Sequence, residues 1–353
     1  MNVLPLAADS LGVRSMATLV EAGGARVLID PGVALAETRY GLPPSREELE
    51  AQEEATARVV GALCQVDAVV VTHYHDDHAN LLPYVLSSTA VYLKTPTTPR
   101  ERRYTQDLFP RLQCTNRSFA LVDGSSLSLG QLTLDFSPPL PHGKPGAKAG
   151  SVMAVALRSR DGCFVHASDV QGPLSEVAVA WLVRQRPDIL YLSGAPTYRL
   201  YYQAEQDSDT LTVQDVRTAR AHLLRLIKYT GCQVILDHYL VRDRNFRRLY
   251  QEVYAAGQVQ TVAEFLGRPE RLLEARRRDQ ESREVTRAVS RHTPVLSLVE
   301  GRMFVGTVQR GKFEGQTFAE AAPDGGASRV INTVVAEKGT PYEEALGDPT
   351  PCL

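Results

Sequence analysis

A chain of 353 residues is longer than one minimal core needs and fits one large or two ordinary domains. Its 43% hydrophobic and 23% charged residues form an ordinary globular balance that excludes wholesale disorder. The net charge of -2 excludes no class of partner, because arginines can still cluster locally.

The first third reads as strands with turns. "ATLVEAGGARVLIDPG" alternates around Gly23-Gly24, a hairpin signal, and Asp30-Pro31-Gly32 ends its second strand. "REELEAQEEATARVVGALC" predicts a helix with an acidic first half, and "VDAVVVTH" a buried strand. "ANLLPYVLSS" predicts a short helix. "SLSLGQLTLDFSP" is a second hairpin, and "GSVMAVALRSRDGCFVHASD" gives two strands joined by Asp161-Gly162. Then follow a helix "VAVAWLVRQRP", a strand "DILYLSG", a helix "VQDVRTARAHLLRLIKYTG" and a last strand "CQVILDHYLV". Two strand-rich halves, each with helices, predict an α/β sandwich over residues 1–260.

The stretch "RPERLLEARRRDQESREVTRAVSR" predicts an arginine-rich helical extension over 261–300. Residues 301–353, with "EAAPDGGASR" and "GDPTPCL", read as a Gly/Pro-rich appendage or tail. Five scattered cysteines (Cys64, Cys114, Cys163, Cys232 and Cys352) argue against a disulfide framework or thiolate zinc knuckle, and for a reducing cytoplasm. The first residues lack a signal-peptide pattern. No apolar run approaches the roughly 18 residues needed to cross a bilayer, so a soluble protein without a membrane partner is expected.

"THYHDDHAN" packs three of the eight histidines and two aspartates into residues 73–78. His73 and His75 face the same way on an extended segment, and Asp77 with His78 follows where a helix should open. That pattern suits two borderline metals sharing nitrogen and oxygen ligands.

His-x-His-x-Asp-His resembles the motif of the metallo-β-lactamase superfamily, and the resemblance covers roughly residues 1–245. "DSLGVRSMATLVE", "LIDPGVALAETRYGLPP" and "ASDVQGP" look most like a poorly characterised, largely archaeal branch. It implies an αββα sandwich and three more ligands, which "PPLPHGKPG", "FVHASDVQGP" and "VILDHYLV" supply as His142, Asp169 and His238. It further implies that His73, His75 and His142 hold one metal, that Asp77, His78 and His238 hold a second, and that Asp169 bridges. Asp30 resembles the aspartate that orients a ligand histidine. His166 is either a packed strand residue or a further partner of the site. Asp76 reads as solvated, and His222 and His292 as surface residues.

The chemistry implied is hydrolysis by a metal-bound hydroxide, with Asp77 or Asp169 holding the nucleophile. The nitrogen/oxygen ligand set admits zinc, manganese or iron. Arginine and tyrosine clusters bring in Arg100, Arg102, Arg103, Lys144, Tyr198, Arg199, Arg242 and Arg244 as candidate contacts for a phosphodiester substrate, DNA or RNA. Only 68 residues separate Asp169 from His238, too few for the large inserted domain of the superfamily's RNA-processing nucleases. The alternative is a small-molecule hydrolase acting on a lactone, thioester or sugar-phosphate ester.

Overall fold

The computed structural model describes residues 1–114, 119–201 and 210–279, and the backbone of four strands between 294 and 336. Asn2–Pro5 (β1), Thr18–Ala22 (β2) and Ala25–Ile29 (β3) form an antiparallel meander. Ala68–Val71 (β4), Ala90–Leu93 (β5) and Phe119–Leu121 (β6) extend it in parallel. Parallel additions need crossovers. Arg46–Leu63 (α1) and Pro99–Cys114 (α3) supply the longer ones, and Asp76–Ala79 (α2) lies in the third. α1 starts at a capping box between Ser45 and Glu48.

The second sheet opens with the hairpin Ser126–Leu129 (β7) and Leu132–Phe136 (β8), followed by a two-residue ribbon of Leu140–Pro141 (β9) and Ser151–Val152 (β10). Val155–Ser159 (β11) and Gly162–Ser168 (β12) form the next hairpin, and β11 pairs with β8. Ile189–Ser193 (β13), Gln233–Asp237 (β14) and Val259–Gln260 (β15) then add in parallel, with Glu176–Gln185 (α4) and Val213–Thr230 (α5) as crossovers.

Why the strands read as unbroken apolar runs is now plain: both faces are covered. In β4, Ala68 and Val70 face the second sheet, joining Leu134, Val155, Phe164 and Ile235 in the inter-sheet core. Val69 and Val71 face α1, against Ala55, Val59 and Leu63. On the far side Val165, Leu190, Leu192 and Leu236 pack under Leu182, Leu223 and Leu226 of α4 and α5. The architecture is the expected αββα sandwich.

The helix expected over 79–88 is replaced by α2 and a 3₁₀ turn at Leu82–Tyr84, where Pro83 lacks the N–H that continued helix would need.

The C-terminal expectations need larger correction. Of the helical extension expected over 261–300, residues 261–279 form a short helix at Val262–Phe265 and a 3₁₀ turn at Arg277–Asp279. The segment between them packs on the sandwich: Leu272 and Ala275 join the α4/α5 side, and Leu273 joins the α1 side. Arg277 is 1% exposed and binds Glu48 Oε1 at 2.6 Å and the Leu42 carbonyl at 2.9 Å. Residues 261–279 therefore pack against the sandwich expected to end at 260.

Residues 280–293, which include the second half of the arginine-rich stretch, lie outside the described residues. Pro294–Val299 (β16), at the end of the expected helical extension, and Arg302–Gln309 (β17), Lys312–Phe318 (β18) and Val330–Ala336 (β19), where the Gly/Pro-rich appendage was expected, form an antiparallel meander.

Candidate metal centre

Every element that reaches the site does so at the C-terminal end of a strand. Beyond β4 the chain stays extended through His75, the N-cap of α2, so His73 and His75 point the same way. His73 Nε2 lies 3.0 Å from His75 Nδ1. The second sheet contributes His142 after β9, Asp169 after β12 and His238 after β14.

Asp169 sits at the centre. Its Oδ2 is 3.1 Å from His142 Nε2, and 3.5 Å from Nε2 of both His73 and His78. Its Oδ1 is 3.5 Å from His238 Nε2, which lies 3.5 Å from Asp77 Oδ2. Three overlapping sets result, His73/His75/His142/Asp169, Asp77/His78/His238 and Asp30/His73/His78, each with its ligand-capable atoms within 4.8 Å of one another.

These residues fit a divalent metal pair on a simple test. His78 Nε2, His142 Nε2 and both oxygens of Asp169 are buried with no hydrogen-bond partner. Leaving such atoms unsatisfied is costly, and a cation among them removes the cost. All donors are nitrogen or oxygen, which suits zinc, manganese or iron.

The opposite edges of the rings are held. His78 Nδ1 is 2.8 Å from Asp30 Oδ2, and His238 Nδ1 is 2.7 Å from Asp9 Oδ2. Each carboxylate accepts an Nδ1–H, leaving the Nε2 lone pair pointing inward. His142 Nδ1 lies 3.3 Å from the Gln171 amide, and His73 Nδ1 lies 3.2 Å from Thr72 Oγ1 and 3.4 Å from Ser168 Oγ. Asp30 also accepts from Thr72 N at 2.7 Å, tying the end of β3 to the end of β4.

The surrounding charges treat the ligand groups differently. Burial, with His78 and His75 nearby, holds His73 well below the ordinary imidazole range, and burial with His142 lowers His75 to about 4, so both are neutral donors. Burial alone would raise Asp169, yet His238 and His78 outweigh it and keep a carboxylate there. Burial opposes charge on His78 too, but Asp169 and Asp30 raise it well above the ordinary range.

Backbone strain concentrates here. Asp30, Ser168, Gln171 and His238 have φ of 51, 53, 52 and 61°, a region unfavourable for residues with a Cβ. A register shift between His166 and Ser168 helps turn Asp169 inward. Gly32 has a local role as well: a Cβ there would lie 2.3 Å from His78 N and 2.5 Å from the Asp77 carbonyl carbon.

Sequence relatives place the chain. A UPF0282 protein of Methanopyrus kandleri is 38% identical over 294 residues, spanning 78% of this chain and 98% of its own. One from Thermococcus gammatolerans is 36% identical over 300 residues, spanning 80% and 96%. The Metallo-beta-lactamase superfamily model matches residues 12–104. The chain belongs to the UPF0282 family. That family lies within the metallo-β-lactamase superfamily, whose members are metal-dependent hydrolases typically binding two divalent metals. A solved structure similar to this UPF0282 chain is an isothiocyanate hydrolase from Delia radicum gut bacteria, with a TM-score of 0.46, 17% identity, and coverage of 71% of this chain and 94% of that one.

All seven ligand candidates and Asp30 of this UPF0282 chain meet at one place. His166 does not. It lies in the inter-sheet core, fully buried, its Nε2 3.1 Å from the Met16 carbonyl. His222, expected at the surface, is buried and contacts the Pro173 carbonyl and Glu176.

The basic candidates divide. Arg100, Arg102, Arg103 and Arg199 are exposed. Lys144 is 2.7 Å from Asp215, Arg244 pairs with Asp279, and Tyr198 stacks under Arg39. Arg242 is corrected outright: it is 2% exposed, bonded to Asp9 Oδ1 at 2.5 Å and packed on the Tyr239 ring. It forms part of the wall of the site.

Sequence reading missed Asp9, Thr72, Ser168 and Gln171. For Thr72, Ser168 and Gln171 the available signal was position, within three residues of a ligand. Asp9 carried no such signal.

Proposed function

We propose that this chain is a dinuclear metal-dependent hydrolase of phosphodiesters. The observation that carries the reading is the set of buried, unpartnered atoms on His78, His142 and Asp169, converging on one volume. His73, His75 and His142 would hold one metal, Asp77, His78 and His238 the other, with Asp169 between them. Bound there, the metals would acidify water and polarise a phosphoryl oxygen.

The chain's own groups do the rest. Asp9 and Asp30 lock two ligand rings. Asp77 and Asp169 are the carboxylates within reach of an attacking water's proton. Burial would raise Asp77, but His78, His238 and Arg242 hold it in the carboxylate form needed to accept that proton.

Exposed Arg100, Arg102, Arg103 and Arg199 support an anionic substrate. The pairing of Lys144, Arg242 and Arg244 argues against a continuous polyanion groove, so a short diester is favoured over a long duplex. The test loads metal-stripped protein with zinc, manganese or iron and offers bis-p-nitrophenyl phosphate, oligonucleotides and a lactone panel. Diester turnover abolished by chelation is expected. Lactone turnover with intact diesters would transfer the site to the small-molecule reading, which the same three pairings favour.

A further inference from the structure

A second concavity adjoins the metal centre. It encloses 230 Å³, and its walls carry Arg39, Tyr40, Tyr198, Tyr201, Asp243 and Arg278. Arg39 lies between two rings, its guanidinium carbon 4.7 Å from the Tyr40 centroid and 4.2 Å from that of Tyr198. Arg278 stacks on Tyr40 at 4.4 Å. Arg39 Nη2 donates to the Arg242 carbonyl at 3.0 Å, and the Arg242 guanidinium is 3.5 Å from Asp77 Oδ2. One residue therefore links the cleft to the ligand set.

Three features give this cleft the character of a binding site. Tyr40 has φ 57° in the tight Arg39–Leu42 turn, a conformation that favours Asn or Gly; its ring is nevertheless held there, with its hydroxyl donating to the Ala275 carbonyl at 3.3 Å. Asp243 is 3% exposed, and its Oδ2 is buried without a hydrogen-bond partner. Tyr201 remains 58% exposed on the rim, and Arg278 is exposed beside it.

From this combination of flat aromatic faces, a guanidinium at the mouth and an unpaired buried acceptor, we infer that the cleft binds one nucleotide unit of the substrate. The base would stack on the exposed ring of Tyr201, the phosphate would meet Arg278, and a base or sugar N–H or O–H would donate to Asp243. The volume agrees, being below the roughly 300–1,000 Å³ of a complete small-molecule site. It suits one part of a longer ligand whose diester reaches the metals. A neutral lactone would use neither the arginine nor the stacked rings. The inference rests on the phosphodiesterase reading for what happens next to the bound nucleotide, but binding is measured separately.

The experiment is calorimetric titration of the metal-loaded full chain with adenosine and uridine 5′-monophosphates, the two nucleosides, ribose 5-phosphate and inorganic phosphate. Nucleotides should bind at least tenfold tighter than phosphate or nucleoside. Tyr201→Ala combined with Arg278→Glu, both exposed positions, should weaken nucleotide binding by about tenfold, the low end for losing one base–aromatic stack. Metal content and melting temperature should not change. Nucleotide binding no tighter than that of phosphate, or equally tight in the double variant, would overturn the inference. Absent diester turnover with intact, variant-sensitive nucleotide binding would instead sink the hydrolase reading alone.

Discussion

Nδ1 of His238 lies 2.7 Å from Oδ2 of Asp9, a residue 229 positions earlier in the chain. The other oxygen of Asp9 accepts from Arg242 Nε at 2.5 Å, so one buried carboxylate serves a ligand histidine and a buried cation together. Burial alone would raise it, but the charges of Arg242 and His238 depress it below the ordinary range.

Asp9→Asn keeps the shape and removes the charge. One amide oxygen cannot serve both donors, so the hold on His238 Nδ1 weakens and Arg242 stays buried without its counter-charge. Affinity at that half of the site should fall by about 10–100-fold, the usual loss for a residue that orients a metal ligand. Competition against a chromophoric zinc chelator measures it. Unchanged affinity would exclude Asp9 from metal binding.

Gly32→Ala tests the fit between the Asp30-Pro31-Gly32 turn and α2. The added methyl meets backbone at 2.3–2.5 Å, at residues Asp77 and His78, where no flexible side-chain end can move aside. The outcome expected is displacement of both ligands, with loss of about one metal per chain on elemental analysis and a lowered melting temperature. Two metals retained at wild-type affinity would show that the turn yields instead.

The ligands were legible because their signal is local: three imidazoles and an aspartate within six residues, then single histidines or aspartates just after apolar strands. Their supports were less so. Asp9 reaches His238 only after the first and last thirds of the sandwich come together, and nothing in "LAADSLG" announces a partner more than two hundred residues away. The packing of residues 261–279 was hidden for a related reason. "RPERLLEARRRD" has the charge density of a solvated helix, yet Leu272, Leu273 and Ala275 fill gaps in the core while the arginines turn outward or into ion pairs. Likewise "RMFVGTVQRGKFEGQTF" is rich in aromatic and β-branched residues and forms β17 and β18, a signal masked by the Gly- and Pro-rich stretches after it.

Acid should weaken the fold through Glu274 and Glu101. Burial opposes both charges, but Arg14 holds Glu274 with bonds of 2.6 and 2.8 Å and Lys94 holds Glu101 at 2.8 Å, so both are lowered below the ordinary glutamate value. A depressed carboxyl binds fewer protons folded than unfolded. Its stabilisation is therefore complete above about pH 4.3, the unfolded value, and is lost as pH falls through the folded value. Glu274→Gln should cost about 2 kcal/mol at pH 7 and flatten the slope of stability against pH below 4.3. Urea midpoints from pH 7 to 3 on both chains measure this. Parallel curves would mean that Glu274 contributes no linkage.

The segment 261–279 should be required for folding. A chain ended at residue 260 loses Val262 and Ala263 from the inter-sheet core, Leu272 and Ala275 from one helical side and Leu273 from the other. It also leaves Glu48 buried without Arg277, while that carboxylate still serves the Ser45 cap of α1. Breaking a buried ion pair by removing one partner costs about 3–5 kcal/mol, a large share of the roughly 5–15 kcal/mol that holds a typical domain. The chain ending at 260 should be insoluble or lack a cooperative transition, whereas one ending at 279 should unfold cooperatively and keep its metals. Arg277→Met in the full chain separates the ion pair from the packing: it should lower stability by the same 3–5 kcal/mol or so, and Glu48→Gln on top should recover part of the loss, because the remaining partner is no longer a buried charge. A chain ending at 260 with full stability and two metals would support the boundary at 260 and make the segment an accessory.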